Sequence, residues 1–159
     1  PRRGKLTEGN LLGVPLAGGA WGLGVVPRVT DDGWICLGYF YGPYPDLPSV
    51  EETATLGAEA AILVGQFGTL GYKTGRWPMI GVMPGFDRAN WPLPVFRSED
   101  PLRGGFRKVT YGDDLMAFRM TSMEGSDPAL MPDDGLMGHG FVEIRLSRLC
   151  GIRSGSPPG

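Results

Sequence analysis

Gly9-Asn10-Leu11-Leu12-Gly13-Val14-Pro15-Leu16-Ala17-Gly18-Gly19-Ala20-Trp21-Gly22-Leu23-Gly24-Val25-Val26 sets two apolar runs on either side of a Gly-Gly turn and contains no titratable side chain. The pattern predicts a β-hairpin, because short apolar segments joined by residues that tolerate positive φ close readily as paired strands. Pro15 lacks a backbone donor and belongs near the end or edge of the first strand. Gly22 and Gly24 alternate with Trp21, Leu23 and Val25, so one face of the second strand is nearly bare. The expected use of a bare face is tight packing against another layer rather than a ligand site.

Downstream, Asp31-Asp32-Gly33 is a turn leading into an apolar strand over residues 34–41, broken at Gly42-Pro43-Tyr44-Pro45. Ser49 and Glu52 have the spacing of a capping box and start a helix that Gly57 keeps short. Residues 61–67 and 77–83 read as further strands, and residues 84–94 as a long loop that is extended before Pro94. Residues 107–111 and 115–120 flank Gly112-Asp113-Asp114 as a second hairpin, and residues 125–135 form a polar connection. Residues 141–149 fit a helical face through Val142, Leu146 and Leu149, and strand alternation through Val142, Ile144 and Leu146; length and Gly151 favour a C-terminal helix. The expectation is an α+β, β-rich single domain over residues 1–153, with a twisted, mostly antiparallel sheet and a few short helices, and a disordered tail over residues 154–159.

Composition sets the bounds. A chain of 159 residues suits one domain, which at that size buries about 70% of the surface its unfolded form exposes. The 27 glycines and 15 prolines imply many turns and favour β structure. No apolar run approaches the roughly 20 residues needed to span a bilayer, and no signal-like stretch follows Pro1-Arg2-Arg3-Gly4-Lys5, so no membrane association and a cytoplasmic location are expected. Cys36 and Cys150 have no neighbour at metal or redox spacing and are expected to be buried free thiols.

Net charge is only −2, yet it is unevenly spread. Between Arg28 and Lys73 stand Asp31, Asp32, Asp46, Glu51, Glu52 and Glu59 with no Lys or Arg; between Arg119 and Arg145 stand Glu124, Asp127, Asp133, Asp134 and Glu143, again with none. Two acidic segments result, which serve either as solvated faces or as a match to a basic partner. Nucleic acid is not an expected partner, because apart from Arg2-Arg3-Lys5 and Arg107-Lys108 the basic residues are scattered. Nothing in the sequence specifies an oligomeric state.

The opening hairpin, taken with Arg76-Trp77-Pro78-Met79-Ile80-Gly81, resembles the immunity protein 26 family of bacterial polymorphic-toxin systems. That family opens with Gly-Asp, a strand ending in Pro-Leu, a glycine-rich turn and an aromatic-Gly-x-Gly strand. Here the matching residues are Gly9-Asn10, Pro15-Leu16, Gly18-Gly19 and Trp21-Gly22-Leu23-Gly24. Asn10 keeps the side-chain acceptor of the usual acid and loses its charge. The resemblance extends in outline across most of the chain. It implies an antitoxin that binds a cognate protein toxin and neutralises it by occlusion, without a cofactor. The same grouping includes a small phosphotriester hydrolase, so the alternative it implies is such an enzyme or a small-molecule-binding domain.

Metal-assisted phosphotriester hydrolysis needs a cation held by several ligands. The sequence offers His139 and the pairs Asp31-Asp32, Asp113-Asp114 and Asp133-Asp134. Paired acids in glycine-containing turns read as turn formers, His139 between two glycines reads as a loop or helix-entry residue, and no Gly-x-Ser-x-Gly elbow occurs. No catalytic, cofactor or metal residue is assigned. Binding has better candidates. Trp34, Tyr39, Tyr41 and Tyr44 precede Asp46, Glu51 and Glu52, and alternation places Tyr39 and Tyr41 on one strand face and Trp34 and Phe40 on the other. Either one face is exposed, offering aromatic anchors rimmed by acids, or both are buried in a central strand. Trp91, with Asp87 in the same proline-rich loop, is the second candidate anchor. Met116, Met120 and Met123 read as core filler.

Overall fold

A computed structural model describes residues 3–152; the expected disordered tail at 154–159 lies outside the described residues. The opening stretch forms the predicted hairpin, β1 (Asn10–Pro15) and β2 (Trp21–Val29), with Pro15 opposite Trp21 at its closing end. The strand that follows, β3 (Ile35–Tyr44), is the longest. It runs past the expected break because Gly42 and Pro43 form a bulge against Gly22, which places the missing Pro43 donor where the register shifts.

With β4 (Leu63–Gly68), β5 (Met79–Val82) and the two-residue β9 (Leu136–Met137), these strands form a six-stranded sheet ordered β5-β1-β2-β3-β4-β9. Every pairing in it is antiparallel except β4 with β9. A second, antiparallel sheet contains β6 (Phe96–Glu99), β7 (Phe106–Tyr111) and β8 (Phe118–Ser122). Among the described residues two α-helices complete the fold, α1 (Leu70–Lys73) and α2 (His139–Leu149), whose first residue is His139. The fold class is α+β, as expected.

The large sheet is the middle layer, and strand alternation divides its side chains between two cores. On one face Leu12, Val14, Val26, Cys36, Phe40 and Phe67 meet Trp77 and, from α2, Val142 and Leu146. On the other, Leu11, Leu23, Val25, Leu37, Tyr39 and Tyr41 meet Trp91, Phe96, Val109 and Leu115. Each core contains an aromatic group packed edge to face: Phe40 with Phe67 and Trp77, and Tyr39 and Tyr41 with Trp91. The bare face of β2 is used as a packing surface. A Cβ at Gly22 would lie 2.5 Å from Leu146 Cδ2, and one at Gly24 would lie 3.0 Å from Phe40 Cε1.

Arg76 and Trp77 fasten α2 to this layer. The Arg76 Nε and Nη2 groups donate to the two Glu143 carboxylate oxygens at 2.7 and 2.6 Å, and the indole Nε1 of the fully buried Trp77 donates to Oε2 at 3.0 Å. Burial pushes the Glu143 carboxyl up, but the hydrogen bonds from Arg76 and Trp77 outweigh it and hold the group below the ordinary carboxylate range. At the far end of the helix, Ser147 Oγ accepts from the Ala17 amide at 3.0 Å, tying α2 to the hairpin turn.

Several local expectations are refined. Ser49 and Glu52 do exchange capping hydrogen bonds, yet they open only a three-residue 3-10 turn over Glu51–Thr53. Met116 and Met120 are exposed and Met123 is half-buried; Met120 lies in β8, an edge strand of the small sheet whose residues are all exposed. Cys36 is a buried free thiol as expected, and burial pushes its pKa up to about 12. Cys150 is a free thiol that is only half-buried. No helix among the described residues is long and apolar enough to cross a membrane.

Candidate functional site

Three of the nine residues proposed from sequence as surface contacts lie in the core. Tyr39, Tyr41 and Trp91 are buried, so they are not surface anchors. The hydroxyl partners of Tyr39 and Tyr41 explain why tyrosines occur there. Tyr39 Oη donates to the Pro92 carbonyl and Tyr41 Oη donates to the Gly57 carbonyl at 2.8 Å, so each phenol crosses the core and ends on a loop. Burial, with the nearby Tyr39, Glu59 and Tyr44 adding to it, raises the Tyr41 phenol well above its ordinary value. The loop holding Trp91 is thus a cover for the second core.

The other six residues are accessible but dispersed. Trp34 is 54% exposed, with Lys73 Nζ 3.4 Å from its ring centroid. Tyr44 stands ten residues on, at the other end of β3, roughly 33 Å away for an extended strand. The two residues therefore stand at opposite ends of the strand. The half-buried Tyr44 is near Glu52, while Asp46, Glu51 and Glu52 are exposed and make no ion pair among the described residues. Asp87 is exposed and caps the turn Arg88–Asn90, accepting from the Ala89 amide at 3.0 Å. The structure therefore keeps Glu52 near Tyr44 and places Trp34 at the other end of the strand.

A different place has the form of a site. A cleft of about 640 Å³ opens at the β4 edge of the large sheet. It lies between β4, the stripe Phe141, Arg145 and Leu149 of α2, and the connection over residues 129–138. Several of its apolar lining groups face solvent: Ile62, Leu136 (59% exposed), Phe141 (57% exposed) and Leu149. Val142 and Leu146 do occupy the buried face of α2, as periodicity predicts, whereas Leu149 turns toward the cleft.

The cleft exists because the chain changes sheets beside it. The Arg97 amide donates to the Pro132 carbonyl at 2.9 Å, and the Asp134 amide donates to the Arg97 carbonyl at 2.8 Å, holding this connection against β6. Two residues later the chain joins the large sheet as β9, opposite Gln66 and Phe67. Side chains fix the transfer. Arg97 Nε meets Asp133 Oδ1 at 2.7 Å, and its Nη1 donates to the Pro128 carbonyl at 3.2 Å. Tyr111 Oη donates to Asp134 Oδ1 at 2.5 Å. Burial first, then this bond and the Asp134 charge, raise the Tyr111 phenol. Arg97, Asp133 and Asp134 are thus engaged with one another's segments. Arg145 lines the cleft, is exposed, and has no acidic partner among the described residues.

The paired aspartates stand in separate places: Asp31-Asp32 in the turn before β3, Asp113-Asp114 between β7 and β8, and Asp133-Asp134 beside the cleft. Asp32 caps its own turn, accepting from the Trp34 amide at 2.9 Å, and Asp113 lies 3.6 Å from both Arg28 and Arg88. Among the described residues no three His, Cys, Asp or Glu side chains come together in a form that would hold a metal ion. Periodicity cannot find the cleft, since it marks what is buried. The available signal was the spacing of Phe141, Arg145 and Leu149, four residues apart and hence on one helix stripe. Comparison with protein-family profiles, with curated proteins and with solved structures finds no match to this chain.

Proposed function

We propose that this chain is a binding protein of the immunity kind: in the cytoplasm of the producing cell it covers a cognate bacterial toxin domain and neutralises it by occlusion. The observation that carries this proposal is the group of exposed apolar side chains around one cleft, Ile62, Leu136, Phe141 and Leu149, with Arg145 on its rim. Apolar groups gathered in this way and bordered by charge are characteristic of surfaces that another protein covers. The resemblance of the opening hairpin and of the Trp77 block to the immunity protein 26 family supports the same conclusion. The exposed Asp46, Glu51 and Glu52, which make no ion pair among the described residues, would add a long-range attraction for a basic toxin, acting on the rate of encounter more than on the final affinity.

The test is growth rescue. Co-expression with the product of the neighbouring toxin gene should restore growth, and the two proteins should purify as a stable one-to-one complex. Failure of both rescue and complex formation overturns the proposal. A second possibility rests on the size of the cleft, since about 640 Å³ lies within the range of small-molecule sites. It predicts turnover or saturable binding of a chromogenic phosphotriester, with or without added divalent metal, above a heat-treated control.

A further inference from the structure

On its inner side β4 pairs with β3 over its whole length, from Leu63 to Gly68. On its outer side it pairs with β9 at Gln66 and Phe67 alone. The residues that would extend β9 back along β4 are the ones held by Arg97 in the other sheet. Consequently the outer edge of β4 at residues 63–65 has no strand partner among the described residues, and Leu63 and Val64 line the cleft. An open strand edge presents backbone donors and acceptors at strand spacing, and an extended backbone is the partner that satisfies them in sequence. Residues 63–65 offer an edge of roughly 10 Å, the length of about three extended residues.

The walls define what such a segment would have to be. Ile62 and Leu136 lie along the edge, and the α2 stripe opposite places the cation of Arg145 between the apolar Phe141 and Leu149. The other arginine of the cleft, Arg97, is already bound to Asp133 and to a carbonyl. We propose that the open edge of β4 receives an extended segment of the protein partner as an added strand in line with β9, with apolar side chains against Phe141 and Leu149 and a carboxylate against Arg145. This rests on the partner being a protein, as proposed above.

A displayed library of random ten-residue peptides, selected against the full chain, tests the mode of docking separately from the identity of the toxin. The expected outcome is enrichment of peptides with alternating apolar residues and an Asp or Glu. Methylating alternate backbone amides of these peptides should weaken them at least tenfold, because added strands bind through those amides. Arg145→Glu, on an exposed helix position, should also weaken them at least tenfold and should recover peptides whose acid is changed to Lys. Circular dichroism verifies that the variant is folded. Selection of no peptide in preference to a chain carrying Phe141→Asp and Arg145→Glu overturns strand addition, as does binding that tolerates methylation at every amide. Toxin rescue that persists in that double variant overturns the docking surface and leaves the immunity function standing, whereas loss of rescue by the parent chain strikes the function itself.

Discussion

Gly22→Ala tests whether the bare face of β2 exists to admit α2. The backbone at Gly22 is not in the positive-φ region, so alanine is conformationally acceptable there and would stabilise the protein by about 0.4–1 kcal/mol through the unfolded chain. Against this stands the methyl group itself. It would lie 2.5 Å from Leu146 Cδ2, 3.3 Å from the Tyr41 carbonyl oxygen and 3.4 Å from Leu16 Cδ2. Leu146 is fully buried and cannot move aside freely, so overpacking of about 1–3 kcal/mol is expected to win. The net change is a loss of about 1–2 kcal/mol. Leu146→Ala alone should cost about 2–5 kcal/mol by leaving a void. The double variant places the new methyl beside that void, and its loss should fall short of the sum by about 1 kcal/mol or more. Urea unfolding followed by circular dichroism measures all four proteins at a common slope. Additivity within about 0.5 kcal/mol, or a Gly22→Ala protein more stable than the parent, would refute the close approach of helix and strand.

Tyr41→Phe should lower stability by about 1 kcal/mol through loss of the bond to the Gly57 carbonyl while leaving partner affinity unchanged, as measured by urea titration and by binding kinetics. The Glu143 carboxyl is held below its ordinary 4.5 in the folded state, so its contribution is complete above that value and is lost as pH falls through the lower, folded value; a Glu143→Gln protein should show a flatter loss of stability in that acid window. Glu51→Gln with Glu52→Gln should slow capture of a basic partner and flatten its salt dependence with little change in dissociation rate, which stopped-flow mixing at several salt concentrations measures.

Much of the fold was legible in the sequence because its central strands obey a period of two with few interruptions. Leu11 and Leu12, Val25 and Val26, and Tyr39 and Phe40 each divide between opposite cores, as alternation requires. The second hairpin and the C-terminal helix were legible for similar reasons of punctuation and period. What escaped were elements too short to leave a period: α1 with four residues, β6 with four and β9 with two. The extension of β3 escaped because a bulge absorbs the Gly42-Pro43 break. The site was less legible. Alternation assigned Tyr39 and Tyr41 to a common face, but whether that face met water depended on a second sheet formed by residues 96–122 and on a loop closed by Trp91. Burial by distant segments is a property of the whole chain, and local pattern does not report it.

The placement of Tyr39, Phe40 and Tyr41 has a consequence for how the protein comes apart. Three successive residues of one strand send their rings into both cores, so neither core can loosen without disturbing the backbone that supports the other. The large sheet acts as a shared partition rather than as the floor of two compartments. Global melting should therefore be a single transition, with probes on opposite sides reporting the same midpoint, and amide exchange in β3 should require opening of the whole molecule. Damage to either side is then felt as loss of the entire fold.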